Sequence, residues 1–171
     1  PVDEVQSTRH FEILLQKMEE RGFVHYEISN FALPGHYSRH NSTYWLGGHY
    51  LGLGPSAHSF NGLSREWNVS NLAQYVQNSV SNSSVKEKEV LSLVQRVNEY
   101  IMTSLRTSWG CDLEHVRNVF GAAYADYLLR ATAGDIERGH LYMKEDKLFL
   151  TNQGKLFADG IAANLFLEEP L

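Results

Sequence analysis

Two short motifs carry the residue types that could ligate or hold a small molecule: His40-Asn-x-x-Tyr-Trp45 and, a little further on, Tyr50-Leu-Gly-Leu-Gly-Pro-Ser-Ala-His58. Five of the eight histidines (His25, His36, His40, His49 and His58) fall between positions 25 and 58, in and just before these motifs, with Tyr26, Tyr37, Tyr44, Trp45 and Tyr50. Neutral imidazoles ligate metals and aromatic rings cover flat surfaces, so the mixture suits a metal or a flat aromatic ligand. Gly52 and Gly54, with Ser56 and Ala57, let backbone come close to such a ligand or, equally, to a neighbouring segment. The alternative for His40 and Asn41 is a turn cap, and for Tyr44 and Trp45 burial in a core or interface, which is the expectation for Trp45. Zinc is not expected: His36 and His40 are four apart, but Pro34-Gly35 opposes a helix there and no HExxH pattern accompanies them.

These residues need elements to position them. Phe11, Leu14, Leu15 and Met18 recur with helical spacing, which predicts an amphipathic helix over about 5–21 that Gly22 ends. Phe23 to Ile28 then reads as a buried strand, the αβ step of a layered or barrel α/β fold. Its carboxyl end delivers Glu27, Ser29 and Asn30, where parallel α/β proteins place ligand-binding groups. A loop is expected at 32–36, and Tyr50 to Leu53 is expected to form another short strand. So few αβ units cannot close or cover a parallel sheet, so the first 65 or so residues read as part of a larger domain.

The Ser/Asn-rich run Asn78–Ser84 marks a boundary. Ser84 and Glu87 match a capping box, and Val90, Val94, Val97 and Ile101 extend a helix over about 86–105. Trp109-Gly110 breaks it, Asp112 caps a short helix to about Phe120, and a further helix is expected from Ala122 to Arg138. A hairpin turning at Glu145-Asp146 sets Leu141 and Met143 against Leu148 and Leu150. Thr151 then caps a last helix with Leu156, Phe157, Ile161 and Leu165. The order is winged-helix-like and the class α+β (α/β).

The 171 residues, 43% of them hydrophobic, suffice for one domain or two small ones. No run approaches a membrane-spanning length and the N-terminus carries no secretion signal, so a cytoplasmic location is the expectation. The single Cys111 excludes an internal disulfide and cannot alone hold an iron-sulfur cluster, and a structural role is expected for it. The net charge of −5 counts against nucleic acid. A groove-reading helix at 122–138 would bring Arg130 and Arg138 but also Asp126, Asp135 and Glu137, which repel phosphate.

Five segments together resemble, nearly end to end, the radical S-adenosylmethionine proteins related to oxygen-independent coproporphyrinogen III oxidase. They are Gly22-Phe-Val-His-Tyr-Glu-Ile-Ser-Asn-Phe-Ala32, Ser38-Arg-His-Asn-Ser-Thr-Tyr-Trp45, the Tyr50–His58 motif, Arg106-Thr107 with Gly110, and Leu150-Thr-x-x-Gly-Lys-Leu-Phe157. The His40-Asn41-x-x-Tyr44-Trp45 element resembles the haem-chaperone, HemW-like branch rather than the branch that oxidatively decarboxylates coproporphyrinogen III to protoporphyrinogen IX. The family's N-terminal barrel carries a Cys-x-x-x-Cys-x-x-Cys motif for a [4Fe-4S] cluster that binds S-adenosylmethionine. This chain lacks that motif, so no catalytic residue is expected in it and no radical chemistry from it alone.

The resemblance implies three parts: the last αβ units of a partial (β/α) barrel over 1–65, a linker over 66–84, and a mainly helical, winged-helix-like domain over 85–171 that covers the barrel mouth. It implies haem or porphyrin as ligand, with His40 as candidate axial ligand to the iron and Asn41, Tyr44 and Trp45 beside it. Gly52, Gly54, Ser56, Ala57 and His58 match the segment bordering the cofactor and substrate pocket, where His58 stands for an apolar residue of the oxidase. Glu27, with Asn30, would hydrogen-bond S-adenosylmethionine or a porphyrin side chain, or instead tie the loop to Arg39 or to backbone amides. A haem-acceptor protein is the implied partner, with peripheral membrane association allowed and an interaction or lid module as the non-catalytic alternative.

Overall fold

The computed structural model of the chain describes residues 3–81 and 86–171. Helix α1 (Glu4–Glu20) begins at Asp3, whose carboxylate accepts from the Gln6 amide at 3.1 Å, and ends before Gly22, which takes the left-handed conformation (φ +75°). Phe11, Leu15 and Met18 are half-buried, but Leu14 is exposed, so the apolar stripe is narrower than the spacing predicts.

The expected αβ step forms as α1 followed by a strand, but the partner of that strand is antiparallel. β1 (Val24–Glu27) turns back at once and pairs antiparallel with β2 (Asn30–Ala32), with a bulge between His25 and Glu27. The turn is held locally, because the Ser29 amide donates to Glu27 Oε2 at 3.0 Å. β1 lies against the segment after the long central helix: Ile28 N donates to Arg106 O at 3.1 Å and Ser108 N to Tyr26 O at 3.0 Å. α2 (Arg39–Trp45) is capped by Ser38 Oγ, which accepts from Asn41 N at 3.2 Å.

Of the expected strand at Tyr50–Leu53, Tyr50 alone makes a β-bridge, to Phe60. Side chains occupy the backbone groups that a ladder would use: Asn68 Nδ2 donates to Gly52 O (3.2 Å) and Gly54 O (2.9 Å), and Gly52 N donates to Ser59 Oγ (3.0 Å). β3 (His58–Phe60), β4 (Ser64–Asn68) and, beyond α3 (Leu72–Val80), β5 (Lys86–Val90) form one antiparallel sheet. Thus 66–84, read as linker, holds most of β4 and all of α3, and β4 pairs with β5 across it.

The helix expected over 86–105 begins only at Leu93. Lys86-Glu-Lys-Glu-Val90 alternates with period two and suits an edge strand, with Lys86 and Lys88 at 3.7 and 3.6 Å from Glu66. The capping box belongs to Ser92 and Gln95 at the head of α4 (Leu93–Leu105), whereas Ser84 lies outside the described residues. β6 (Cys111–Asp112) leads into α5 (Leu113–Val119), and Asp112 accepts from the His115 amide at 3.0 Å as expected of its cap.

The helix expected over 122–138 is split into α6 (Ala122–Ala131) and α7 (Ala133–Glu137). At the break, buried Thr132 bonds the Leu128 carbonyl through its hydroxyl at 2.7 Å. β7 (Leu141–Lys144) and β8 (Lys147–Leu150) pair with Leu141 opposite Leu150 and Met143 opposite Leu148, around Glu145 and Asp146 at positive φ. Thr151 caps a 3-10 turn (Gly154–Phe157) that runs into α8 (Ala158–Asn164). Met143 and Phe157, expected inward, are 53% and 52% exposed.

The core is built from Val97, Ile101, Leu113, Leu128, Leu148 and Leu165, among others, all on α4 and the elements after it. Before α4, Tyr26 and Leu91 are the buried hydrophobics among the described residues. The front half is therefore held to the back half by few contacts, and polar ones figure strongly among them.

Candidate functional site

Glu27 is the buried charge at that junction, 2% exposed. Its Oε1 accepts from Arg106 Nε (3.2 Å) and Nη2 (3.1 Å), and its Oε2 from Ser29 N and Asn30 Nδ2. Asn41 Nδ2 donates to Asn30 Oδ1 at 3.2 Å, extending the network to α2. Arg106 also pairs with Asp159, and its guanidinium carbon lies 5.3 Å from the centre of the Trp45 ring. A carboxylate removed from water needs this much compensation. Both oxygens face protein donors, so Glu27 ties the hairpin and α2 to the end of α4. The tie to a backbone amide is present at Ser29, and the cation is Arg106 instead of Arg39, because β1 packs on the carboxyl end of α4. Trp45 is half-buried beneath the Arg106 guanidinium.

On α2, His40 is exposed and lies edge-on to Tyr44, their ring centres 4.9 Å apart. Tyr44 in turn meets Tyr50 (4.7 Å), and Tyr50 meets Phe60 (5.9 Å). The glycine-rich segment faces inward on itself. A Cβ on Gly52 would come within 2.2 Å of the His58 carbonyl oxygen, and Gly54 N donates to the Tyr75 hydroxyl at 3.0 Å. Ser56 has φ +59°, and Ala57 O accepts from Asn68 N at 3.0 Å. His58 is exposed and stacks on Trp67 at 5.8 Å. Gly52 thus permits the close approach of neighbouring backbone, while Gly54 has open space beside it and a φ of +106°. Asn68 and Tyr75 are partners of this segment that motif spacing did not reveal.

A large groove opens between α2 and the elements around α4, with a volume of about 860 Å³, within the usual range for small-molecule sites. Tyr44, Trp45, Tyr50 and Phe60 form one wall. Tyr100, Met102, Trp109 and Phe120 face them with His115, Arg65 and Arg96. Of the expected site residues the groove gathers Tyr44 and Trp45. Glu27, His40, Asn41, His58 and the Gly52–Ala57 segment lie outside its lining, His40 one ring behind Tyr44.

Sequence reasoning missed Arg65 on β4, Arg96 and Tyr100, four apart on α4, and His115 on α5, because three elements remote in the chain supply them. Burial pushes the Tyr100 phenol far up, and its oxygen accepts from Asp112 N at 3.1 Å. Burial also pushes Glu99 up, against the pull of Arg65, which pairs with it at 2.7 Å.

A second cavity, about 110 Å³, sits between β1 and the β7–β8 hairpin, lined by His25, Glu27, Phe149 and Lys155 among others. Lys155 Nζ lies 3.2 Å from His25 Nδ1, and desolvation lowers both groups. Its size suits water, not a macrocycle.

The fold is of mixed helix and strand, with an aromatic, partly cationic groove beside α2. No family model matches the chain. It is 30% identical over 158 residues to the heme chaperone HemW of Bacillus subtilis, covering 91% of this chain and 41% of that one. It is 33% identical over 166 residues to a heme chaperone HemW of Mycobacterium tuberculosis, covering 96% and 40%. The fold matches the structure of the radical SAM enzyme coproporphyrinogen III oxidase (HemN) of Escherichia coli, with a TM-score of 0.67 and 18% identity over 92% of this chain and 40% of that one. The chain belongs to the coproporphyrinogen III oxidase-like family of radical S-adenosylmethionine proteins, of HemN and HemW type, and spans about 40% of the length of these relatives.

The family's [4Fe-4S] cluster finds no ligand set here. Cys111 is the single thiol, 1% exposed within the core, and burial pushes it up to about 11. Among the described residues no group of three or more His, Cys, Asp or Glu side chains is placed to hold a metal ion.

Proposed function

We propose that this chain is the haem-binding portion of a haem chaperone, and that the groove beside α2 receives the porphyrin. The observation that carries the reading is the placement of Tyr44 and Trp45, the aromatics of the His-Asn-x-x-Tyr-Trp motif, along a groove of macrocycle size that also contains arginines. Flat rings suit the macrocycle faces and guanidinium groups suit its carboxylates. His40, exposed at the edge of Tyr44, remains the motif's candidate ligand to iron. The names of the relatives support haem as the cargo.

The reading extends to a cytoplasmic protein, associating at most peripherally with membranes, that hands haem to an acceptor protein. Among the described residues no helix is long and apolar enough to cross a membrane. Residues 1–65 would be the closing part of a barrel, and residues 85–171 a winged-helix-like cover. The cluster and S-adenosylmethionine would be held by parts of the protein that this chain does not contain. Oxidation of coproporphyrinogen III is the second reading for the whole protein, since the same groove suits another anionic tetrapyrrole.

A protein-docking module is a third reading, favoured by the α3 stripe of Leu72, Val76 and Val80, which are 65%, 51% and 84% exposed. Haem titration separates it from the first. Saturable binding followed at the Soret band, weakened in Tyr44→Ala, supports the groove, whereas a folded chain that binds no haem leaves the docking reading.

A further inference from the structure

The wall of the groove opposite the motif belongs to α4 and α5, and it contains the chemistry that the motif wall lacks. The lining side chains able to donate to iron are His115, Met102, the carboxylates of Glu99 and Asp112 and the phenols of Tyr44, Tyr50 and Tyr100. The two carboxylates are engaged, Glu99 by Arg65 and Asp112 by Lys147. Met102 packs against the hydrophobic core. Tyr100 is held neutral by burial with its oxygen engaged by Asp112 N, and a phenol ligates iron as its anion. Tyr44 and Tyr50 lie against each other and their neighbours as ring walls. His115 differs from all of these. It is exposed to the groove, its backbone is fixed by the Asp112 cap, and its ring is supported by Tyr100 at 4.6 Å and Phe120 at 6.0 Å. Its ring nitrogens make no hydrogen bond among the described residues.

The cations of the same groove divide in a similar way. Arg65 is paired with Glu99 at 2.7 Å and Lys147 with Asp112 at 2.8 Å. Arg96 has no carboxylate within ion-pair distance among the described residues, and its guanidinium carbon stands 5.9 Å from the centre of the Phe120 ring. One unpaired guanidinium and one unengaged imidazole therefore share an aromatic groove of about 860 Å³. A flat macrocycle with a metal at its centre and carboxylates on its rim would satisfy both.

We infer that His115 ligates the iron of the bound porphyrin and that Arg96 receives one of its carboxylates, so that the C-terminal half completes the seat begun by Tyr44 and Trp45. This rests on the groove being the porphyrin site. No redox change is involved: the neutral imidazole donates a lone pair to iron and the guanidinium donates hydrogen bonds to a carboxylate.

The test titrates the 171-residue chain, His115→Ala, Arg96→Gln and His40→Ala with iron protoporphyrin IX by Soret absorbance, and with metal-free protoporphyrin IX by fluorescence. Circular dichroism checks that each chain is folded. His115→Ala is expected to weaken iron protoporphyrin binding by roughly tenfold or more and to shift the Soret band, while leaving the metal-free affinity unchanged. Arg96→Gln is expected to weaken both porphyrins by roughly tenfold, the loss of one charge-assisted contact.

Equal iron protoporphyrin affinity and an unshifted Soret band in His115→Ala would overturn the inference and leave the groove reading intact. An iron-specific loss in His40→Ala alone would do the same and return the ligand to α2. A folded chain that binds neither porphyrin would overturn the haem reading itself.

Discussion

Replacing Arg106 with alanine would strip both donors from Glu27 Oε1 while leaving Ser29 N and Asn30 Nδ2 on Oε2. The carboxylate would stay where it is, because β1 is held by its pairing to β2 and by the Ile28 and Ser108 amides. At the 3.1 Å separation of Arg106 Nη2 and Glu27 Oε1, an effective dielectric near 20 gives an attraction of about 5 kcal/mol. Breaking a buried pair by removing one partner costs about 3–5 kcal/mol, since the remaining charge is uncompensated. The second partner of Arg106, Asp159, has a side chain 75% exposed and adds little. Arg106→Ala should therefore lower the urea-unfolding free energy by about 3–5 kcal/mol. For a chain of this size that is a fall of about 6–20 °C in the thermal midpoint by circular dichroism. Adding Glu27→Gln to Arg106→Ala should restore part of the loss by removing the orphaned charge. A loss below about 1 kcal/mol, the range of an exposed pair, would refute the argument that Glu27 is desolvated.

The same geometry sets the other expected outcomes. Gly52→Ala should destabilise the chain by at least about 1–3 kcal/mol in urea melts, because the added Cβ would meet backbone at His58 and Ala57 rather than a movable side chain. Gly160→Ala, on α8 with open space around it, should be neutral or stabilising by up to about 1 kcal/mol. Burial lowers His25 from its ordinary 6.5, with Lys155 acting in the same direction and the Ile28 carbonyl and Glu27 opposing. The unfolded chain then takes up this proton at a higher pH than the folded one, so stability should fall as the pH drops below 6.5. Urea melts at stepped pH should show that dependence, and it should flatten in His25→Gln. The Cys111 thiol, buried and raised to about 11, should resist a thiol-specific disulfide reagent at about pH 8 until urea unfolds the chain.

Much of the back half was legible because its elements are decided locally. Asp112 as a cap, Thr151 at the head of the last helical segment and the Glu145-Asp146 hairpin all follow from short-range hydrogen bonds and backbone preferences. The front half was less so. A short aromatic strand after a helix does not reveal whether its partner will be parallel or a two-residue turn away, and Lys86-Glu-Lys-Glu-Val90 suits a charged edge strand as readily as a helix until β4 lies beside it. The valines after Ser84 suggested one long helix, yet Val90 is on a strand and 71% exposed, while Val97 and Ile101 enter the core.

Residue identity and spacing alone were enough for the family resemblance, the lack of cluster ligands and the concentration of aromatics from Tyr44 to Tyr50. Which of those residues face a common space was settled by packing. Glu27, placed at a strand end where ligand groups are expected, is occupied by Arg106 because α4 ends against β1. Gly52 admits the backbone at His58 and Ala57, and the polar groups of Gly52 and Gly54 are bonded by Asn68, Ser59 and Tyr75. His115 and Arg96 come into one groove with Tyr44 because α4 and α5 pack there. Residues far apart along the chain are made neighbours by burial of apolar surface, which has no direction and leaves no periodic mark at the positions it brings together.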